Sequence, residues 1–137
     1  MSMNSEIKQE WLDALRSNEY EQAIGMLRSE EGGYCCLGVL CDLAAKHGVG
    51  RWESGQFTVR DLGTDVVDWR FTDNSGLEGS LSTLPAHVRE WAGLGLEDNP
   101  TVSISMGTDT DHDVSLAELN DKGNGFEFIA DCIEEQL

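Results

Sequence analysis

Positive charge is what this sequence has least of. Only 9 Lys and Arg stand against 26 Asp and Glu, a formal net charge of -17. A chain with that balance repels phosphate, so direct binding of nucleic acid is disfavoured. No apolar run approaches the roughly 18–20 residues needed to cross a bilayer, and residues 1–16 lack the basic-then-apolar order of an export signal. These two absences lead us to expect a cytoplasmic protein with no membrane partner. Gly-x-Ser-x-Gly, His-Glu-x-x-His and phosphate-loop motifs are missing as well, so no catalytic residue, metal ligand or cofactor is assigned. The four cysteines, Cys35, Cys36, Cys41 and Cys132, lack Cys-x-x-Cys spacing and read as reduced, buried thiols.

What is present supports a packed interior. The chain has 137 residues, 39% of them hydrophobic, with 4 Trp, 4 Phe and 2 Tyr, whereas disordered chains of similar charge usually lack aromatics. That length suits one domain, 1–137, which we divide into a helical part (1–48), a strand- and loop-rich part (49–106) and an acidic helical end (107–137). The acid is uneven. Residues 1–60 hold 6 basic and 9 acidic side chains, and residues 61–137 hold 3 basic and 17 acidic.

The spacing of Ile7, Trp11, Leu12 and Leu15 predicts a helix that starts at Asn4 or Ser5 and runs to about Arg16. Asn18 with Glu21 has the form of a capping box, predicting a second short helix with Tyr20, Ile24 and Leu27 on one face. Residues 34–45 are apolar on almost every side except Asp42 and are closed by Lys46, His47 and Gly48, as expected for a central core helix; a strand is the alternative for the first half, with the length and the Leu-Ala-rich end favouring helix. Gly38 within it implies that another element presses against its backbone. Strands are predicted over 56–60 and 65–71, a loop over 73–83, a helix opened by Pro85 and ended by Gly93, and a strand through Val102, Ile104 and Met106. Ser115 with Glu118 predicts a helix start flanked by Val114 and Leu119, and Asn124 with Glu127 predicts another. The last helix should bury Phe126, Ile129, Ala130, Ile133 and Leu137 and show acid outward. The expected fold class is α+β, about five helices packed on a small, mostly antiparallel sheet drawn from residues 56–106.

Several stretches together resemble a family. They are Trp11 with 14–17, Tyr20-Glu21-Gln22, the double-cysteine segment from Tyr34 through Asp42 to Ala44, Leu84-Pro85 with 90–94, and Leu119-Asn120-Asp121 with 126–133. This pattern resembles a small uncharacterised family of accessory proteins from tailed bacteriophages and bacterial prophages, and the likeness spans nearly the whole chain. It implies a phage accessory protein acting in the bacterial host cytoplasm against a host process, as in counter-defence, and carries no site residues with it.

Asp109, Asp111 and Asp113 occupy alternate positions, as in the first half of a calcium loop, but Val114 stands where that loop needs Gly and Asn120 where it needs a bidentate Glu. A solvated acidic loop over 107–113 is the expectation. Cys36 and His47 lie about 16 Å apart along one helix at 1.5 Å per residue, too far to act as nucleophile and base; His47 reads as a helix-end group, His87 and His112 as surface groups. The main functional reading is a non-enzymatic binding protein. Its acidic surface, Asp109, Asp111, Asp113, Glu134 and Glu135 with Trp52 as an exposed anchor, would engage a basic or nucleic-acid-handling host protein, as a nucleic-acid mimic does. The alternative is sequestration of a small anionic ligand, such as a signalling nucleotide, by Arg51, Trp52 and Arg60. A small enzyme of unknown chemistry is the third, and a homo-oligomer is left open.

Overall fold

A computed structural model describes residues 4–17, 19–24, 26–29, 32–59, 64–73, 79–80, 84–94, 100–105 and 111–137, with backbone alone for 54–59, 64–70, 79–80, 103–105 and 111–112. Helix α1, Ser5–Arg16, begins where the Asn4 side chain accepts hydrogen bonds from the Glu6 and Ile7 amides, satisfying donors that the first turn cannot pair internally. Its apolar stripe, Ile7, Trp11, Leu12 and Leu15, is buried as the spacing predicts. Trp11 is fully enclosed and its indole Nε1 donates to the Cys36 carbonyl at 3.0 Å, which satisfies its one polar atom.

Helix α2, Cys36–Lys46, is the centre of the core, burying Cys36, Leu37, Gly38, Val39, Leu40, Cys41, Leu43 and Ala44. Each of its buried Leu and Val side chains contributes on the order of 1.5–3 kcal/mol through removal from water. The Cys35 sulfur accepts from the Gly38 amide and so caps the helix in place of a hydroxyl. At the far end the helix stops at His47, and Gly48 turns the chain away with φ 78°.

The second short helix expected after Asn18 does not form. Asn18 itself lies outside the described residues, and the described part of the segment from Glu19 to Tyr34 is irregular, pinned by isolated bridges from Gln22 and Arg28 to Tyr34. The Ala23 amide donates to the Tyr34 carbonyl at 2.8 Å and the Tyr34 amide to the Glu21 carbonyl at 2.7 Å. The capping-box pattern lost to a tertiary demand: the Leu27 carbonyl accepts from the Cys35 amide at 3.3 Å, whereas a helix would have used that carbonyl internally. Leu27 is buried and Ile24 exposed, so the two do not share a face.

Strand β1, Arg51–Val59, pairs antiparallel with β2, Thr64–Thr72, from Arg51 opposite Thr72 to Val59 opposite Thr64. A two-residue strand β3, Gly79–Ser80, extends this sheet inside the stretch expected to be loop. Helix α3, Ala86–Ala92, follows Pro85 and ends at Gly93 in the left-handed region, φ 79°, as predicted. Strands β4, Thr101–Ser105, and β5, Asp111–Ser115, then form a second antiparallel sheet, so the expected single sheet over 56–106 is two. Part of the expected acidic loop is therefore strand: Val114 faces Val102 across the pair and both are buried, which fixes an extended backbone there.

Ser115 caps helix α4, Leu116–Asp121, by accepting from the Glu118 amide at 3.2 Å. Helix α5, Phe126–Gln136, starts at Gly125 without a side-chain cap. Asn124, expected to cap it, instead donates backward to the Leu119 carbonyl at 2.9 Å and closes α4. Helix α5 packs on α1 and α4, with Ile129, Ala130, Cys132 and Ile133 inward. The result is α+β, with five helices and two small antiparallel sheets among the described residues.

Candidate functional site

The outward face of α5 carries Glu127, Phe128, Asp131, Glu134, Glu135 and Gln136, all exposed, because the inward stripe has taken the four apolar positions that meet the core. Residues 117–137 hold six acidic side chains against the single lysine Lys122. Part of that charge is answered from within the molecule. The Arg16 guanidinium donates to Asp131 and to Glu134, both at 2.8 Å, and the Lys8 ammonium reaches the Glu134 carbonyl at 3.0 Å. Lys122 pairs with Glu118 at 2.9 Å.

Of the residues named from the sequence for the acidic surface, Glu134 and Glu135 lie on this face and Asp113 is exposed on β5. Asp111 lies two residues before Asp113 on the same strand, its side chain outside the described residues, and Asp109 lies outside them altogether. An extended strand through Asp111 and Asp113 is incompatible with the tight turn of a calcium loop. Among the described residues no group of three or more His, Cys, Asp or Glu side chains is placed to hold a metal ion.

Trp52 is not an exposed anchor. It is half-buried, edge-on to Tyr34 at 5.9 Å and to Phe71 at 4.9 Å between centroids, and its Nε1 donates to Asp42 at 3.1 Å. Tyr20 donates to the other Asp42 oxygen at 2.6 Å, and Lys46 donates to the Tyr20 hydroxyl at 3.1 Å. Burial, then the hydrogen bond and charge of Asp42, push the Tyr20 hydroxyl far above its ordinary pKa. The Arg28 guanidinium lies over Tyr34 and Trp52 at 5.5 and 5.6 Å from their centroids, a cation–π arrangement that covers the row. Asp42, the one acid in an apolar helix, is thus the acceptor that orients this cluster. Arg51, named with Trp52 for an anionic ligand, turns its guanidinium to Glu53 at 2.9 Å, and Arg60 lies outside the described residues.

The thiols are chemically quiet. Burial pushes Cys35 up to about 11 and raises Cys36 and Cys41 well above the ordinary thiol value, which removes the thiolate that nucleophilic or metal chemistry needs. Cys36 directs its sulfur at the Leu116 carbonyl while His47, at the other end of α2, meets Glu10 at 2.8 Å. His87 departs from the surface role expected of it. Its ring stacks on Phe71 at 5.6 Å, and both ring nitrogens are buried without a hydrogen-bond partner among the described residues. The side chain of His112 lies outside the described residues.

Two features escaped the sequence reading. Asn120 is fully buried, donating to the Ala23 carbonyl at 2.6 Å and accepting from Gln22 at 2.8 Å and from the Cys36 amide at 3.3 Å. It locks the irregular segment to the start of α2; only its place in the Leu119-Asn120-Asp121 stretch marked it beforehand. The second is the exposure of Phe128, 42%, and Ile24, 59%. Phe128 was detectable as the one aromatic off the apolar stripe of α5.

No curated protein and no solved structure matches this chain. Residues 3–137, nearly all of it, match a domain of unknown function, and the chain belongs to that family, DUF8296.

Proposed function

We propose that this protein is a non-enzymatic binder whose acidic second half engages a positively charged protein. The observation that carries this reading is the outward face of α5, where Glu127, Asp131, Glu134 and Glu135 are held at the surface of a helix anchored by Ile129, Ala130 and Ile133. Carboxylates fixed on a rigid element steer a basic partner and raise its association rate without a further cost of ordering the site. Asp113 on β5 adds to the same field. The phage resemblance points to a nucleic-acid-handling protein of a bacterial host as the kind of partner. The buried, protonated thiols support a binding role over catalysis by cysteine. Sequestration of a small anion at Arg51 and Trp52 is the weaker reading, since Arg51 is engaged by Glu53 and Trp52 by Asp42.

The test is affinity capture from bacterial lysate at about 50 mM and about 300 mM salt, a range over which exposed charge pairs are progressively screened. A triple variant, Asp113→Lys, Glu134→Lys and Glu135→Lys, is run beside the parent. A basic protein retained only at low salt, and lost by the variant, is the expected result. Equal capture by parent and variant would remove the acidic surface from consideration.

A further inference from the structure

Phe128 is the third residue of α5, at a position where the helix faces solvent, while the other three phenylalanines include Phe71 at the centre of the core. An exposed phenyl ring within a charged face keeps apolar surface in water that a partner can remove. Ile24 is the other large exposed hydrophobic among the described residues. The two belong to neighbouring stretches of chain. Gln22 donates to the Asn124 carbonyl at 2.6 Å and to Asn120 at 2.8 Å, and Asn120 in turn holds the Ala23 carbonyl. The segment bearing Ile24 is thereby tied to the turn that leads into Phe128. Exposed carboxylates lie beside both along the chain: Glu21 before Ile24, and Glu127 and Asp131 on the helix of Phe128, with Asp131 already bonded to Arg16.

We infer that Phe128 and Ile24 are apolar anchors of a docking surface for a basic amphipathic protein segment, one that presents Lys or Arg on either side of an apolar side chain. This rests on the acidic-surface reading and deepens it. Charge chooses the occupant: a second copy of this chain would bring another -17 to an acidic face, whereas a basic segment gains from both parts of the surface. An apolar anchor also separates this surface from a pure phosphate mimic, whose partner site would be lined by cations and offer a phenyl ring no desolvated pocket.

Two fluorescent peptides of equal charge serve as probes, oligolysine and a longer Lys/Leu peptide with leucines at helical spacing, titrated by anisotropy at about 50 mM salt, where charge pairs are weakly screened. The Lys/Leu peptide should bind more tightly, and Phe128→Ala should weaken it by roughly tenfold, as loss of an interface anchor does, while leaving oligolysine binding unchanged. Melting curves of Phe128→Ala check that the fold is intact. Equal binding of both peptides, insensitive to Phe128→Ala, would overturn the anchor while keeping the acidic surface. Binding of neither would overturn both. Dimerisation at about 0.5 M salt that Phe128→Ala abolishes would assign the face to a second copy and overturn the proposal.

Discussion

Gly38 leaves no room for a methyl group. A Cβ there would overlap the Leu27 carbonyl oxygen and lie 2.7 Å from its carbon, and because the obstacle is backbone, no rotamer change relieves it. Gly38→Ala is therefore expected to cost at least about 3 kcal/mol, the upper part of the range for overpacked cores, read as a lower urea midpoint at unchanged slope. Thr72 poses the opposite case. It is fully buried on β2, and its hydroxyl finds no hydrogen-bond partner among the described residues. Thr72→Val keeps the shape, removes the unsatisfied group and suits a strand, so it should raise stability by about 1 kcal/mol and raise the melting temperature. A fall in melting temperature would show that the hydroxyl is paired in solution. Gly38 was readable from the sequence because a glycine within an apolar helix weakens that helix unless a neighbour needs the space a side chain would fill. Thr72 was not, since a strand threonine looks the same whether its hydroxyl meets water or the core.

At the scale of elements, α2 brings the thiols of Cys36 and Cys41 into full burial with Cys35 capping its start. All three are raised by burial, so the folded state holds their protons to higher pH than the unfolded chain. That stability is fully present below the ordinary thiol value of about 8.5 and is lost as pH rises toward the folded Cys35 value of about 11. Melting temperature should hold steady to about pH 8.5 and then fall through about pH 11, and a Cys35→Ser, Cys36→Ala, Cys41→Ala variant should fall less steeply. Tyr20 and Tyr34, raised mainly by burial, continue the same trend at the alkaline end. The apolar segment of α2 and the stripes of α1 and α5 were legible because 3.6-residue periodicity records which face is buried. The irregular segment from Glu19 to Tyr34 was not, because its hydrogen bonds close on Tyr34, Cys35 and Asn120, outside the reach of the local capping pattern.

For the whole molecule, 26 acidic side chains against 9 basic ones make folding bring like charges together. Screening should relieve that repulsion, so the melting temperature is expected to rise between about 10 mM and about 200 mM salt, over which the Debye length falls from about 30 Å to below about 10 Å. Thermal unfolding followed by circular dichroism checks this, and a fall would mean that ion pairs such as Arg16 with Asp131 and Glu134 outweigh the repulsion. The sequence by itself determined the excess of acid, its concentration in the second half, the helical stripes and the burial of the cysteines, because each follows from residue type and spacing along the chain. Only the tertiary structure decided that Trp52 turns inward to Asp42, that His87 stacks beneath the surface, that Asp113 sits on a strand and that Phe128 faces outward. Those outcomes depend on which elements pack against each other, and packing is settled by partners far away in sequence.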